Sequence, residues 1–255
     1  MTDKIVEICC GSYYDAGQAA LGGAERIELN SALMLGGLTP TETTLRMVKE
    51  KFPDMKIVAM VRPRGAGFCY SEDEFQVMVR ECESLLQCGA DGIAFGCLLP
   101  DASLDEKRTR ILAEIIQEKG KEAVFHRAYD CSEDPFGTME SLIGMGVDRV
   151  LTSGLKPKAF EGREMLKRLQ KDYGNDIQIL AGSGVSADNA AELIKYTGIC
   201  QVHSSCKTWE RDLTTVRNGI SYRMADAEKA CCYDAVSAQL VRELVNRVRA
   251  EGQSI

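Results

Sequence analysis

The chain has 255 residues, 45% of them hydrophobic, and a formal net charge of −7. That length suits one α/β barrel domain with a large core, while the acidic balance argues against nucleic acid or an anionic membrane surface as partner. No apolar run approaches the roughly 20 residues of a bilayer span, and MTDKIVEICC at the amino terminus lacks the charged, apolar and cleavage regions of a signal peptide, so a cytoplasmic protein is expected.

In chain order, apolar runs predict strands near 5–9, 26–30, 56–61, 92–97, 122–127, 149–152, 177–181 and 199–203. Amphipathic stretches predict helices near 12–21, 41–51, 72–87, 105–118, 136–143, 160–172, 187–196 and 234–250. The repeating unit is a short apolar run, an amphipathic stretch, a glycine, an acidic residue and the next run, echoed in GGAERIEL (22–29), CGADGIAF (88–95) and MGVDRVLT (145–152). The glycine suits the left-handed residue that ends a helix.

Eight strands alternating with eight helices read as a (β/α)8 TIM-type barrel, because parallel neighbours need crossover helices and eight such units can close on themselves. A doubly wound open sheet is the alternative. Its dinucleotide-binding version is weakened by EICCGSYYD, which stands where GxGxxG would follow the first strand. One domain is expected over 1–255, with 206–233 as an irregular segment before the last helix.

The apolar runs end in polar residues, which would gather at one mouth of a barrel. Both histidines, His126 and His203, lie at such ends. Outer faces of barrel strands meet apolar helices, so strand parity points Glu7, Cys9, Glu28 and Asn30 inward. The same parity aligns Met60, Arg62 and Arg64 on the third strand, His126 on the fifth, and Gln201, His203 and Ser205 on the eighth. Buried carboxylates need partners, and a network of Glu7 and Glu28 with Arg62, Arg64 and the histidines is expected.

Glu7, Glu28, Arg62, His126 and His203 are therefore the candidate catalytic cluster. A carboxylate beside His126 could tune an acid or base near neutral pH, and an arginine pair binds an anion in forked geometry. Arg64, Asp130, Ser153, Gly182, Ser183, Gly184 and Ser204 are candidate ligand-binding residues. In LAGSGVSADNAAELIKYTGICQVHSS (180–205), glycines lead into a helix start as in the phosphate corner of many barrels. The plainer alternative is a tight turn with ordinary helix-start hydrogen bonds. The metabolite reading is a TIM-barrel enzyme acting on a small anionic or phosphorylated molecule.

Eleven cysteines are an odd number and many fall inside predicted elements, so buried thiols rather than a disulfide framework are expected. Neither Cys9-Cys10 nor Cys231-Cys232 has CxxC spacing, and adjacent strand residues face opposite ways.

The ordered segments EICCGSYYDAGQAALGGAERIELN, GGLTPT, VRPRGAGFCYS, FHRAYD, RVLTSG, AGSGV and VHSS, covering about residues 5–206, resemble the CutC family of copper-homeostasis proteins. The resemblance implies a TIM-type barrel, a cytoplasmic protein, a homo-oligomer and a role in handling Cu(I). It also implies copper-binding cysteines at the ends of the first two strands, soft thiolates being suited to Cu(I). Cys9 matches the first of these, whereas the second position is Asn30. Cys69, in GFCYS, is the other candidate copper ligand if its loop folds over the mouth.

Overall fold

In the computed structural model, which describes residues 4–223 and 227–250, eight parallel strands close into a barrel with each strand paired to its sequence neighbours and the last to the first. The strands are β1 (Ile5–Cys10), β2 (Arg26–Leu29), β3 (Lys56–Met60), β4 (Gly92–Phe95), β5 (Glu122–Phe125), β6 (Arg149–Thr152), β7 (Gln178–Ala181) and β8 (Gln201–Ser204). Seven helices cross between successive strands: α1 (Tyr13–Gly22), α2 (Glu42–Lys51), α3 (Glu72–Gln87), α4 (Glu106–Glu118), α5 (Pro135–Gly144), α6 (Arg163–Tyr173) and α7 (Ala190–Thr197). The eighth, α8 (Ala238–Ala250), follows β8 after an excursion. The expected TIM-type barrel is the observed fold.

The excursion corrects two sequence expectations. Residues 206–233, expected to be irregular, carry β9 (Lys207–Arg211), paired antiparallel with β12 (Cys232–Val236). The short pair β10 (Val216–Arg217) and β11 (Ile220–Ser221) lies between them. The last helix starts at Ala238 instead of 234, because Asp234, Ala235 and Val236 pair with Trp209, Thr208 and Lys207. Buried Asp15 of α1 reinforces that ending, one carboxylate oxygen accepting from the Val236 amide at 2.8 Å and the other from the Gly11 amide at 2.9 Å.

Among the described residues, apolar packing falls into two separate cores. The large one lies between strands and helices and contains Ile8, Cys10, Ile27 and Leu29. The small one, Val58, Met60, Ala94 and Val124, lies inside the barrel. Much of the remaining interior is polar: Glu7, Arg26, Glu28, Asn30, Arg149, Gln201 and His203 are all buried. Near the strands' amino ends, Arg149 donates to Gln178 and Glu122, each at 3.0 Å. Gln201 donates to Gln178 at 2.6 Å and accepts from Arg26 at 2.6 Å. This chain of partners, ending on the Glu122 and Glu7 carboxylates, lets the barrel bury two guanidinium groups with an opposite charge beside each.

Helix starts are fixed locally. Ser12 accepts from the Asp15 amide, and Ser71 forms a reciprocal capping box with Glu74 at the head of α3. Ser71→Ala is expected to lower unfolding free energy by about 1 kcal/mol, with Ser71→Asp close to wild type. Urea denaturation checks this, and an unchanged midpoint for the alanine variant would mean that water replaces the cap.

Candidate functional site

The barrel's register assembles the first group at the mouth. Glu7 stands opposite Arg26 on one side and His203 on the other, and Cys9 stands opposite Glu28. Glu7 is in contact with both neighbours: its Oε2 lies 2.6 Å from Arg26 Nε and its Oε1 2.8 Å from His203 Nδ1. One carboxylate thus bridges a guanidinium and an imidazole. Cys9 Sγ lies 3.8 Å from Glu28 Oε2. The Asn30 amide nitrogen donates to Glu28 Oε2 at 2.9 Å and to Cys9 Sγ at 3.6 Å.

Cys9, Glu28 and His203 can each present a ligand atom, and these atoms all lie within 4.8 Å of one another. Since Glu7 occupies Nδ1 of His203, its Nε2 is the nitrogen left to face Cys9 and Glu28. A histidine whose second nitrogen is held by a carboxylate is the usual arrangement behind a metal-ligating imidazole. Two glycines make room here. A Cβ on Gly182 would lie 2.6 Å from Leu151 Cδ1 and 3.3 Å from His203 Cβ, and one on Gly37 would lie 2.4 Å from Asn30 Oδ1.

Electrostatics separate the two carboxylates. Burial pushes Glu7 upward, but the Arg26 guanidinium and the His203 hydrogen bond outweigh it and hold the group at about 2. Glu28 is raised, chiefly by burial. His203 is raised well above its ordinary value: burial opposes its charge, but Glu28 and hydrogen bonds to Cys9 and Glu7 favour it. Burial pushes the Cys9 thiol up to about 11. These shifts favour the thiol over the thiolate at Cys9 and the charged over the neutral ring at His203.

Arg62 and His126 form a second group. Arg62 donates to the carbonyls of Leu35, Gly37 and Ala66 at 2.9, 3.0 and 2.5 Å. Its guanidinium also stacks 5.1 Å from the Phe68 ring, whose centroid is 5.0 Å from that of His126. His126 Nδ1 accepts from the Ala128 amide at 3.1 Å, and its buried Nε2 has no hydrogen-bond partner among the described residues. Burial, then Arg62, push His126 down to about 3, so the ring is neutral.

The expected pairing of Glu7 and Glu28 with Arg62 and Arg64 is thus corrected. Arg26 is the arginine on Glu7. Arg62 ties down the loop after β2, and Arg64 pairs with Glu74 at 2.5 Å while donating to the carbonyls of Gly65, Gly67 and Cys69. Arg26 was legible by parity, two residues before Glu28 and four before Asn30 on the same strand face. Its position at a strand start, away from the mouth, concealed it.

The other predicted residues form a third, structural group. Asp130 accepts from Arg127, Thr152, the Ser153 amide and hydroxyl, and the Leu155 amide. Ser153 also donates to the Lys156 carbonyl. Ser183 has φ of 79° and donates to the Pro157 carbonyl at 2.7 Å. The Gly184 carbonyl accepts from Asn189 at 2.9 Å, and Ser204 donates to the Val185 carbonyl at 2.6 Å. Cys69 is exposed on the loop between β3 and α3 and lies outside the Cys9 cluster.

Comparisons with known proteins agree with this architecture. A model of the CutC family matches residues 4–208. A CutC family protein of Treponema denticola is 43% identical over 218 residues, covering 85% of this chain and 87% of the relative. One from Vibrio vulnificus strain YJ016 is 39% identical over 224 residues, covering 88% and 89%. The crystal structure of a CutC protein from Streptococcus agalactiae, described as a candidate copper homeostasis protein, matches with a TM-score of 0.75 and 25% identity over 79% of this chain and 98% of its own. KGPDC from Streptococcus mutans, 13% identical with a TM-score of 0.62, shares the barrel alone. Most of the β9–β12 ribbon and the whole of α8 lie beyond the family match, but all eight barrel strands, helices α1 to α7 and all three groups of mouth residues lie within it, and the chain belongs to the CutC family.

Proposed function

We propose that this chain serves copper homeostasis by holding a single metal ion at the carboxyl-terminal mouth of its barrel, with copper as the cargo. The observation that carries this reading is the convergence of Cys9 Sγ, a His203 nitrogen and a Glu28 carboxylate oxygen within 4.8 Å. Thiolate and imidazole are both donors that copper accepts. Glu7 orients the imidazole, Arg26 holds Glu7, and Asn30 steadies both the thiol and the Glu28 carboxylate. Asn30 brings an amide where a second thiolate would strengthen Cu(I) binding, so modest affinity is expected.

The alternative of a small anionic metabolite draws less support, because Arg62 and Arg64 spend their donors on loop carbonyls and Glu74. Anaerobic competition of the full chain against a Cu(I) chelator tests the copper reading. One ion per chain is expected, with affinity reduced about tenfold or more in Cys9→Ser, raised by a similar factor in Asn30→Cys, and unchanged in Cys69→Ser. Binding untouched by Cys9→Ser would overturn it.

A further inference from the structure

We infer that the Cys9–Glu28–His203 cluster, besides the copper proposed above, binds a divalent ion of borderline softness, with Zn(II) the type, and that Asn30 is the residue that sets the balance between that ion and Cu(I). The inference rests on the single-ion reading above and concerns which further ion the same ligands accept.

Three observations point the same way. The donor set is one sulfur, one nitrogen and one carboxylate oxygen. Soft Cu(I) is served by sulfur and nitrogen and gains little from a carboxylate, whereas Zn(II) takes all three.

Spacing is the second. Zinc bond lengths place the ligand atoms of a tetrahedron about 3.5 Å apart. Cys9 Sγ and Glu28 Oε2 are already 3.8 Å apart, and the third ligand atom lies within 4.8 Å of each. Small side-chain adjustments would close the three around one tetrahedral centre, with a fourth position open.

Charge is the third. Ligands bind in their deprotonated forms, so this set contributes two negative charges and a neutral imidazole. A divalent ion cancels them, and Glu7 and Arg26 cancel one another beneath. A monovalent ion would leave a net negative charge among groups buried to 5% exposure or less at Glu28, Asn30, Glu7 and Arg26, which a low-dielectric interior disfavours.

Asn30 completes the argument. Its side chain is 1% exposed, and its buried Oδ1 has no hydrogen-bond partner among the described residues. The two ends of an amide are exchangeable by rotation. Turning this one over would direct Oδ1 toward Cys9 and Glu28 as a neutral oxygen donor, a ligand type that borderline and hard ions use and Cu(I) does not.

The test uses the full chain freed of metal by chelator and titrated with Co(II), a spectroscopic substitute for Zn(II), then with Zn(II) and, anaerobically, Cu(I). One Co(II) per chain with tetrahedral visible bands and a thiolate charge-transfer band is expected, displaced by one Zn(II). The charge-transfer band should vanish in Cys9→Ser, and Zn(II) affinity should fall about tenfold or more in Glu28→Gln, which keeps the hydrogen-bonding shape of the side chain. Asn30→Cys should raise Cu(I) affinity by about tenfold more than Zn(II) affinity. Near-ultraviolet circular dichroism confirms that each variant is folded. One-to-one Cu(I) binding through Cys9 with no tetrahedral Co(II) spectrum would overturn this inference and leave the copper reading standing. Failure of every ion to bind at Cys9 would overturn both.

Discussion

Arg26→Met is expected to lower the unfolding free energy by about 3–5 kcal/mol, the range for removing one partner of a buried ion pair. Glu7 is 1% exposed and Arg26 5%, and their 2.6 Å contact is what most opposes the desolvation of the Glu7 carboxylate. Without the guanidinium, Glu7 must either take up a proton or rest on His203 alone, and Gln201 loses its donor as well. The double variant Arg26→Met with Glu7→Gln should recover a large part of the loss, since no buried charge is then stranded. Urea denaturation of the wild type, both single variants and the double variant closes the cycle. A cost below about 1 kcal/mol for Arg26→Met would show that His203 by itself compensates Glu7, and Arg26 would no longer count as the anchor of the site.

The second large effect concerns acid. His126 is 3% exposed and held down at about 3, against an ordinary value of 6.5. Between those values the unfolded chain binds a proton that the folded protein refuses, so this group's contribution to stability is complete above 6.5 and is lost progressively as pH falls toward 3. From pH 7 to pH 4 the loss amounts to about 3 kcal/mol. His126→Asn removes the titration while keeping an acceptor near the Ala128 amide. The variant's stability should therefore fall less steeply over that interval, by about the same 3 kcal/mol. Parallel curves for the two proteins in urea melts at pH 7, 5 and 4 would refute the assignment of a neutral, desolvated ring.

Strand parity was sufficient to place Glu7, Glu28, Asn30 and His203 inside the barrel, because the helices outside accept apolar side chains and each strand must turn its polar residues the other way. The same rule carried no information about which of those groups touch. Glu28 and Glu7 are separated by a register step: Glu7 falls between Arg26 and His203, while Glu28 falls beside Cys9. That step follows from the stagger of strands in a closed barrel, a property of the whole ring that no single strand encodes. Arg62 illustrates a different gap. Its position at the end of β3 was read correctly, yet its donors go to the carbonyls of Leu35, Gly37 and Ala66, and backbone acceptors on a folded-back loop leave no trace in residue identity. The β9–β12 ribbon escaped for a related reason: its pairing joins residues more than twenty positions apart, and local periodicity cannot register such a partner.

By itself, then, the amino-acid sequence determined the alternation of strands and helices, the closed (β/α)8 architecture and the inward set of polar residues, since all of these depend on local pattern and on the need to bury apolar faces. The family was also legible there, carried by ordered segments from EICCGSYY to VHSS. Tertiary structure alone decided that Arg26 rather than Arg62 neutralises Glu7, that Cys9, Glu28 and His203 form one cluster while Cys69 lies outside it, and that His126 is a neutral buried ring. Those outcomes turn on distances of a few ångströms between residues up to 196 positions apart, as Glu7 and His203 are. Coulombic and desolvation energies change steeply over such distances, and only barrel closure sets them.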